Sequence, residues 1–438
     1  MKILLIQPSE RPVLTREKTR GSIMPPLGLI FLANIIKQQL PEVTLELRDY
    51  EANPSASREF ANYDIVGLTG TSVHMPDAYA LVKKIREDNE TALIIMGGPH
   101  ATFCHEELLH DLPELDAVCR GEGEVSFVKF LQSYNGDRCN IPVVEGISTR
   151  TRLSAKLSPV MENLDDIGHI DLSMISWGKY RLSTHRKSLN PNFASLITSR
   201  GCPYHCNYCQ TPKMFGSRLR YNSPQFIYET ILDLKENYGI KSIVFWDDTF
   251  TADKQRTVDI CKLLSILKVE WMCNTRVECV DKSLLQKMYK AGCKEIFFGV
   301  ESSVDCIIKK MNRSATSLKD QTAKAFTWCR ETGIETIGTI MIGAPDDTNT
   351  TIQENIEYLQ SLKPNHVYIS IYNVTPGSAD YKRAMNDGTI KQIKWGDSDN
   401  FRGSPYGLPT VNPRLSRGEL QNYQSTAYRL FNSEKEYE

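Results

Sequence analysis

The 438-residue sequence lacks long hydrophobic runs and has almost no net charge. The apolar run Ile3–Ile6 is too short for the hydrophobic region of a signal peptide, and no segment approaches the roughly 20 apolar residues of a membrane-spanning helix. The formal net charge is -1, and no dense Lys/Arg stretch offers a surface to a polyanion. We therefore predict no membrane span and no nucleic-acid partner.

Internal repeats of 20 to 50 residues and low-complexity tracts are also missing, which excludes solenoids and propellers. The 12 cysteines accompany no export signal, so a disulfide framework is not expected. Cytosolic thiols stay reduced and serve metals or catalysis, and we predict a cytoplasmic protein. Hydrophobic residues at 41% and charged residues at 24% are typical of a globular chain, and the length favours two domains.

Residues 1–139 alternate short apolar strands with helical stretches, which predicts a Rossmann-like parallel sheet. Glycines and small hydroxyl residues follow several of these strands, and open parallel sheets bind ligands at the carboxyl ends of their strands. The predicted strands are Lys2–Ile6, Val43–Arg48, Ile65–Thr69, Leu93–Gly97 and Ala117–Arg120.

Residues 140–192 lose this periodicity and are interpreted as a connector lying over both domains. A second alternating series over 193–378 predicts a partial (β/α)6 TIM-type barrel. Residues 379–438 form a short tail, whose last stretch has the apolar spacing of an amphipathic helix packed on the barrel. The predicted barrel strands are Ala194–Ser199, Ser242–Trp246, Glu270–Asn274, Glu295–Gly299, Thr336–Ile342 and His366–Ile371, and the apolar helix positions are Leu420, Tyr423, Ala427, Leu430 and Phe431.

Three cysteines follow the first barrel strand in one tight loop, with the spacing CxxxCxxC. Thiolates hold iron-sulfur clusters, and a loop that supplies only three leaves one iron of a 4Fe-4S cluster open to a small molecule. Structural zinc normally takes two separated ligand pairs, and a second pair is not apparent nearby. Simple burial of apolar cysteines is the remaining interpretation. The predicted cluster ligands are Cys202, Cys206 and Cys209.

This motif on a barrel-opening strand resembles the radical S-adenosylmethionine (SAM) superfamily. The resemblance implies that SAM binds the open iron and is cleaved to a 5′-deoxyadenosyl radical. It further implies polar contacts to SAM at the ends of the later strands. These are Asp247 and Asp248 to the amino group, Arg276 to the carboxylate, Glu301 to the ribose and Gly343 to the adenine.

The segments Pro25–Leu29, Gly97–Thr102 and Arg120–Glu124 resemble the N-terminal domain of cobalamin-binding radical SAM enzymes. A Rossmann-like sheet offers a crevice for the nucleotide tail of cobalamin. The familiar Asp-x-His-x-x-Gly motif is missing after the first strand, so cobalt is expected to lack that histidine; His100 and His105 are nearby alternatives. Predicted cobalamin contacts are Thr69, Ser72, Gly97, Gly98, Gly121, Glu122 and Gly123.

Both cofactors together imply a methyltransferase acting on an unactivated carbon of a small or medium-sized substrate, with an external electron donor of the flavodoxin or ferredoxin type. Alternatives within the family are a reaction without methyl transfer (cyclisation, ring contraction or oxidation) and a fold that has lost cobalamin. A methylthiotransferase acting on RNA would need a second cysteine trio. A cobalamin or metal sensor would not need the predicted SAM contacts. Candidate substrate-lining residues are Tyr368, Tyr372, Trp395 and Tyr406.

Overall fold

The computed structural model of the chain describes residues 1–10, 22–183, 188–314, 316–397 and 410–432. These residues form two compact units. The first contains the described residues up to 183, with 213–216 and 392–397. The second contains 188–212, 217–391 without residue 315, and 410–432. Of the predicted connector 140–192, residues 140–183 thus group with the first unit and residues 188–192 with the second.

The described residues of the first unit form one six-stranded sheet and five α-helices. Its strands are β1 (Lys2–Gln7), β2 (Thr44–Asp49), β3 (Ile65–Thr69), β4 (Leu93–Gly97), β5 (Ala117–Cys119) and β6 (Ile147–Thr149). Its helices are α1 (Leu27–Gln39), α2 (Met75–Asp88), α3 (Gly98–Phe103), α4 (His105–Asp111) and α5 (Gly123–Ser133). Short 3-10 turns lie at Ser72–His74, Leu164–Ile167, Leu172–Met174 and Trp177–Lys179.

The first sheet has the strand order β2-β1-β3-β4-β5-β6, and its first five strands are parallel. The four central residues of β1 are at most 1% exposed, as expected for an apolar strand covered on both faces. The predicted Rossmann-like sheet is confirmed. We did not predict β6, which runs antiparallel to β5 and has only three residues, too few for a clear periodicity.

The second unit contains a six-stranded parallel sheet and a two-stranded ribbon. Its strands, in chain order, are β7 (Phe193–Leu196), β8 (Ser199–Arg200), β9 (Arg220–Tyr221), β10 (Ser242–Phe245), β11 (Glu270–Thr275), β12 (Cys293–Glu301), β13 (Glu335–Ile342) and β14 (His366–Ile371). The remaining helices of the chain are α6 (Thr211–Phe215), α7 (Pro224–Tyr238), α8 (Lys254–Leu267), α9 (Lys282–Lys290), α10 (Asp305–Lys310), α11 (Lys319–Thr332), α12 (Asn349–Leu362), α13 (Ala379–Asn386) and α14 (Arg417–Asn432), with a 3-10 turn at Val277–Cys279.

The large sheet of this unit has the order β7-β10-β11-β12-β13-β14, so all six predicted barrel strands are present, with β7 and β14 as its two ends. Every neighbouring pair is parallel, which is the arrangement of a partial (β/α)6 barrel. The short antiparallel pair β8–β9 was not predicted. Because parallel strands all end at the same edge, the polar residues that follow them are brought together there.

Local sequence signals explain where the connecting helices begin and end. The hydroxyl of Ser223 accepts from the Phe226 N–H at the start of α7, Pro224 occupies the first turn, and Gly239 ends the helix at φ +65°. Asp253 caps α8 in the same way, by accepting from the Arg256 N–H. These residues fix where the helices between consecutive barrel strands begin and end.

Helix α14 packs against β14 as predicted, with Leu420 and Ala427 fully buried. The prediction for Leu430 is wrong, because this side chain is 46% exposed and lies off the packing face. No helix among the described residues is long and apolar enough to cross a membrane.

Candidate functional site

A cavity of about 360 Å³ opens at the carboxyl edge of the barrel strands. It combines thiols, carboxylates, guanidinium groups and aromatic rings within the second unit. The lining residues are Cys202, Tyr204, Cys206, Tyr208, Cys209, Thr211, Trp246, Asp248, Thr249, Asn274, Thr275, Arg276, Phe297, Gly299, Glu301 and Arg313.

The loop between β8 and α6 carries the three predicted cluster ligands into this cavity. Gly201 enters the loop at φ +93°, which a residue with a side chain rarely adopts. The Cys209 N–H donates to the Cys206 carbonyl at 3.1 Å, and the Asn207 N–H donates to the Met311 carbonyl at 2.9 Å. The loop is therefore folded on itself and tied to the segment that follows α10.

The three thiols are partly exposed, unlike most cysteines of the chain, and a fourth cysteine does not occur among the described residues that line the cavity. Burial raises the pKa of Cys202 to about 11 and raises the pKa values of Cys206 and Cys209. Free thiolates are thus disfavoured without a metal, and a metal bound here would displace the thiol protons. Three thiols around one cavity fit a 4Fe-4S cluster with one open iron.

The two adjacent carboxylates after β10 point to different places. Asp248 lines the cavity, accepts from the Thr211 hydroxyl at 3.4 Å, and has a pKa raised to about 6 by burial and by Asp247. Asp247 is fully buried and accepts from the Thr198 N–H and hydroxyl and from the Ser199 hydroxyl. The predicted SAM contact is therefore corrected at Asp247, whose carboxylate anchors the segment before the cysteine loop.

Glu301 ends β12 in a left-handed conformation, at φ +66°, where the pairing with β13 shifts register. A side chain at Gly299 would place its Cβ 2.5 Å from Glu301 Oε1, so the carboxylate occupies space that only glycine leaves free. Burial raises the pKa of Glu301 to about 7, and Arg276 opposes that rise. Strained backbone of this kind is characteristic of functional positions.

Arg276 follows β11 and lies against the cysteine loop. Its Nη1 is 3.7 Å from Cys206 Sγ, and its guanidinium carbon is 3.6 Å from the centroid of the Tyr204 ring. Its Nη2 donates to Glu278 and to the Arg313 carbonyl, both at 2.8 Å. The predicted cation is thus in the cavity, in contact with a predicted cluster ligand.

Three buried polar atoms of this lining have no hydrogen-bond partner among the described residues: Arg276 Nε, Trp246 Nε1 and Asn274 Oδ1. Buried polar groups are nearly always satisfied, so these atoms are suited to meeting a polar ligand. SAM has hydrogen-bond acceptors and donors in its carboxylate, amino group and adenine. The unpartnered donors and acceptor of the cavity could therefore pair with SAM.

Sequence reasoning missed the aromatic and basic lining formed by Tyr204, Tyr208, Phe297 and Arg313. The two tyrosines lie inside the cysteine motif and could have been found there, whereas Arg313 follows α10 and only the fold brings it to the cavity. Five described residues that were predicted as SAM or substrate contacts are not part of the lining: Asp247, Gly343, Tyr368, Tyr372 and Trp395. A side chain at Gly343 would meet Leu420 of α14 at 2.6 Å, and Tyr372 donates to Asp380.

The predicted cobalamin contacts lie at the carboxyl ends of β3, β4 and β5, which are adjacent in the first sheet. A side chain at Gly98 would place its Cβ 2.4 Å from Thr69 Oγ1, and the Gly98 backbone adopts φ +87°. Gly121, at φ +83°, donates its N–H to Thr102 Oγ1 at 2.9 Å. Gly97 ends β4, and Glu122 and Gly123 lie between β5 and the first turn of α5. Six of the seven positions thus follow the ends of three strands.

Ser72 is the seventh, and its hydroxyl lies 2.9 Å from Nδ1 of the buried His100. Burial lowers the pKa of His100 to about 3, and its Nε2 has no hydrogen-bond partner in the described part of the chain. The Trp395 ring packs edge-on against His100, with centroids 4.5 Å apart. Trp395 therefore belongs to the first unit's core, while Tyr406 lies outside the described residues.

The strand order and the residues at the strand ends of the first sheet suit a cobalamin site. Strand order reverses between β2-β1 and β3-β4-β5, and open α/β sheets bind nucleotide-like ligands at such a switch point. Small residues at the ends of β3 to β5 leave the backbone accessible, and the unpartnered Nε2 of His100 is a buried polar atom at this edge. His105 begins α4, and its buried Nδ1 likewise has no hydrogen-bond partner among the described residues.

Two domain families match the sequence. The radical SAM superfamily matches residues 196–359, and the B12 binding domain matches residues 17–131. An uncharacterized methyltransferase of Pyrococcus horikoshii is 30% identical over 406 residues, which cover 90% of this chain and 85% of that protein. An anaerobic magnesium-protoporphyrin IX monomethyl ester cyclase of Cereibacter sphaeroides is 26% identical, over 85% of this chain and 60% of its own length.

The fold has a solved counterpart in TsrM of Kitasatospora setae, described as a radical S-adenosylmethionine methyltransferase with cobalamin and a 4Fe-4S cluster bound. The two structures superpose with a TM-score of 0.68 at 15% identity, over 96% of this chain and 84% of that one. The predicted cofactors, a 4Fe-4S cluster, SAM and cobalamin, are confirmed by the two matching families, and the chain belongs to the cobalamin-binding radical SAM enzymes.

Proposed function

We propose that this radical SAM enzyme is a cobalamin-dependent methyltransferase that methylates an unactivated carbon of a small or medium-sized substrate. The observation that carries the proposal is the cavity in which three partly exposed thiols face Asp248, Arg276 and Glu301 at one edge of the barrel. The name of the Pyrococcus horikoshii relative, a methyltransferase, supports methyl transfer in a chain that also matches the B12 binding domain.

In this proposal Cys202, Cys206 and Cys209 hold the cluster, and the other lining residues hold SAM. Asp248 accepts from the SAM amino group, Glu301 accepts from ribose hydroxyls, and the free Nε of Arg276 donates to the SAM carboxylate. When bound, the cluster supplies the electron that cleaves SAM to a 5′-deoxyadenosyl radical, and methylcobalamin supplies the methyl group. The chain's own contribution is to orient SAM and exclude water.

The first unit contributes the cobalamin site in this proposal. Thr69 and Ser72 after β3, Gly97 and Gly98 after β4, and Gly121 to Gly123 after β5 would border the cofactor at the strand ends. An electron donor of the flavodoxin or ferredoxin type would reduce the cluster. The proposal includes no histidine ligand to cobalt from the β1 end, because the segment Gln7–Glu10 contains none.

A reaction without methyl transfer is the second candidate, favoured by the cyclase of Cereibacter sphaeroides among the relatives. The products formed from SAM distinguish methyl transfer from a reaction without it. Anaerobically purified enzyme is incubated with SAM, reductant and cell extract, and SAM products are quantified. Methyl transfer predicts 5′-deoxyadenosine and S-adenosylhomocysteine together, because cobalamin is remethylated from a second SAM. Substrate-dependent 5′-deoxyadenosine without S-adenosylhomocysteine supports cyclisation or oxidation instead.

A further inference from the structure

Arg276 contacts a cluster ligand as well as the space assigned to SAM. Its Nη1 lies 3.7 Å from Cys206 Sγ, within hydrogen-bonding reach of a sulfur acceptor. Its guanidinium plane covers the Tyr204 ring at 3.6 Å, and the Tyr204 hydroxyl lies 3.4 Å from Cys279 Sγ. Stacking and hydrogen bonding together fix a cation beside the thiolate.

A buried ion-pair network holds this guanidinium in place. Glu278 Oε1 accepts from Arg276 Nη2 at 2.8 Å and from Arg313 Nη1 at 2.6 Å, and Glu278 Oε2 accepts from Arg313 Nη2 at 3.2 Å. Arg313 also donates to the Gly299 carbonyl at 3.0 Å. The side chains of Arg276 and Arg313 are only 10% and 1% exposed, so water screens the network weakly.

The network has one positive charge in excess, because two guanidinium groups share the single carboxylate of Glu278. Glu301 is the other carboxylate that interacts with Arg276, but the two side chains share no hydrogen bond among the described residues, whereas Arg276 Nη1 lies 3.7 Å from Cys206 Sγ. The excess charge therefore acts on Cys206. A cation beside a cluster ligand stabilises the more negative, reduced cluster, since hydrogen bonds to sulfur and local charge set cluster potentials.

We propose that Arg276 is a positioning residue that raises the reduction potential of the cluster through Cys206 Sγ, independently of its contact with SAM. The inference rests on the proposed ligation by Cys206 and not on methyl transfer. The step concerned is a one-electron reduction in which an external reductant loses one electron, the cluster gains it, and no bond to Arg276 forms or breaks.

Its two roles are separable because they use different atoms. Nη1 faces Cys206, whereas Nε is buried and has no hydrogen-bond partner among the residues that the structure describes. A cluster potential measured without SAM reports only the first role. SAM affinity, measured by equilibrium binding to the oxidised enzyme, reports the second.

The experiment is a dithionite redox titration of reconstituted, SAM-free full-length enzyme, followed by electron paramagnetic resonance of the reduced cluster. Arg276→Gln removes the charge and is expected to lower the reduction equilibrium constant about tenfold, which is about 59 mV for one electron. Arg276→Lys keeps the charge and is expected to recover most of that shift. Lys282→Gln removes an exposed charge that pairs with Glu331 and is expected to change nothing.

Glu278→Gln provides a test that keeps Arg276 in the protein. Removing the carboxylate that partly neutralises Arg276 is expected to shift the potential upward, opposite to Arg276→Gln. An Arg276→Gln enzyme with full iron content and the wild-type potential would overturn the inference, and so would an unchanged or lowered potential in Glu278→Gln. A wild-type enzyme that binds no cluster would instead refute the proposed ligands.

Discussion

The carboxylate of Asp247 accepts hydrogen bonds from the backbone N–H and the hydroxyl of Thr198, at 3.1 and 2.8 Å. The Ser199 hydroxyl donates to the same carboxylate, and Arg256 donates to the Thr198 carbonyl at 2.8 Å. This buried network fixes the chain three residues before the first cysteine of the loop. Asp247 therefore determines where the thiols lie, while its neighbour Asp248 faces the cavity.

Replacement of these two aspartates is predicted to separate stability from SAM binding. Asp247→Ala leaves the buried donors of Thr198 and Ser199 unsatisfied, so we expect the free energy of unfolding to fall by about 2–4 kcal/mol. Asp248→Asn keeps the size of its side chain and is expected to weaken SAM binding with little loss of stability. Thermal unfolding and equilibrium SAM binding on both variants check this, and equal thermal midpoints would contradict it.

Gly299 is predicted to be essential for the position of Glu301. Gly299→Ala places a methyl group where Glu301 Oε1 now lies, at 2.5 Å, and must displace that carboxylate. We expect the KM for SAM to rise about tenfold while the thermal midpoint changes little. The matched control is Gly28→Ala in α1, where nothing lies within 4 Å of the added Cβ and helix propensity favours alanine. Similar KM values for both variants would refute this account.

Each of the three loop thiols is predicted to be required for iron. Cys202→Ser, Cys206→Ser and Cys209→Ser are expected to lose most of the bound iron and sulfide after anaerobic reconstitution, because a hydroxyl is a poor cluster ligand. Cys139→Ser changes an exposed cysteine of the first unit and is expected to keep the wild-type iron content. Full iron content in any of the three loop variants would show that this residue is not a ligand.

Stability is predicted to fall in mild acid because of His100. Burial lowers the pKa of His100 to about 3 in the folded protein, against a model-peptide value of 6.5. The unfolded chain binds the proton first as pH falls below 6.5, so this group reduces stability by about 1.4 kcal/mol per pH unit, on the order of 2 kcal/mol at pH 5.

His100→Gln removes that contribution and should reduce the slope of the unfolding free energy against pH between 6.5 and 5. The rest of the slope remains, because burial also lowers the pKa values of His74 and His105 to about 4. His110→Gln is the control, because the His110 side chain is 88% exposed. Urea unfolding at several pH values measures both slopes. A wild-type slope in His100→Gln would show that His100 is not a buried neutral group.

Much of the fold could be predicted because its signals are local. Most of the predicted strands contain an apolar run, as in Ile3–Ile6 and Ile243–Trp246, or alternate apolar and polar residues, as in β2. The strands β6, β8 and β9 were missed because they have two or three residues each, too short for periodicity, and pair through long-range contacts.

The predicted residues that share one cavity are those that the strand order alone brings together. The cysteine loop, Asp248, Arg276 and Glu301 all follow neighbouring strands and reach one cavity. The direction of individual side chains could not be predicted, since Asp247 turns inward and accepts a hydrogen bond from Thr198. The contact between Gly343 and Leu420 could not be predicted either, because Leu420 lies on a helix 77 residues later in the chain. Arg313 follows α10 and also lines the cavity, and no strand pattern in the sequence indicates that position.

We propose that one chain holds a cluster, cobalamin and SAM for radical methyl transfer. The most direct measurement is to quantify iron, sulfide and cobalamin in anaerobically purified enzyme and to assay reductive SAM cleavage on the same sample. The account predicts a four-iron cluster, near-stoichiometric cobalamin, and production of 5′-deoxyadenosine and S-adenosylhomocysteine. Deoxyadenosine without bound cobalamin would contradict methylcobalamin chemistry, and a protein that binds no cluster would contradict the whole account.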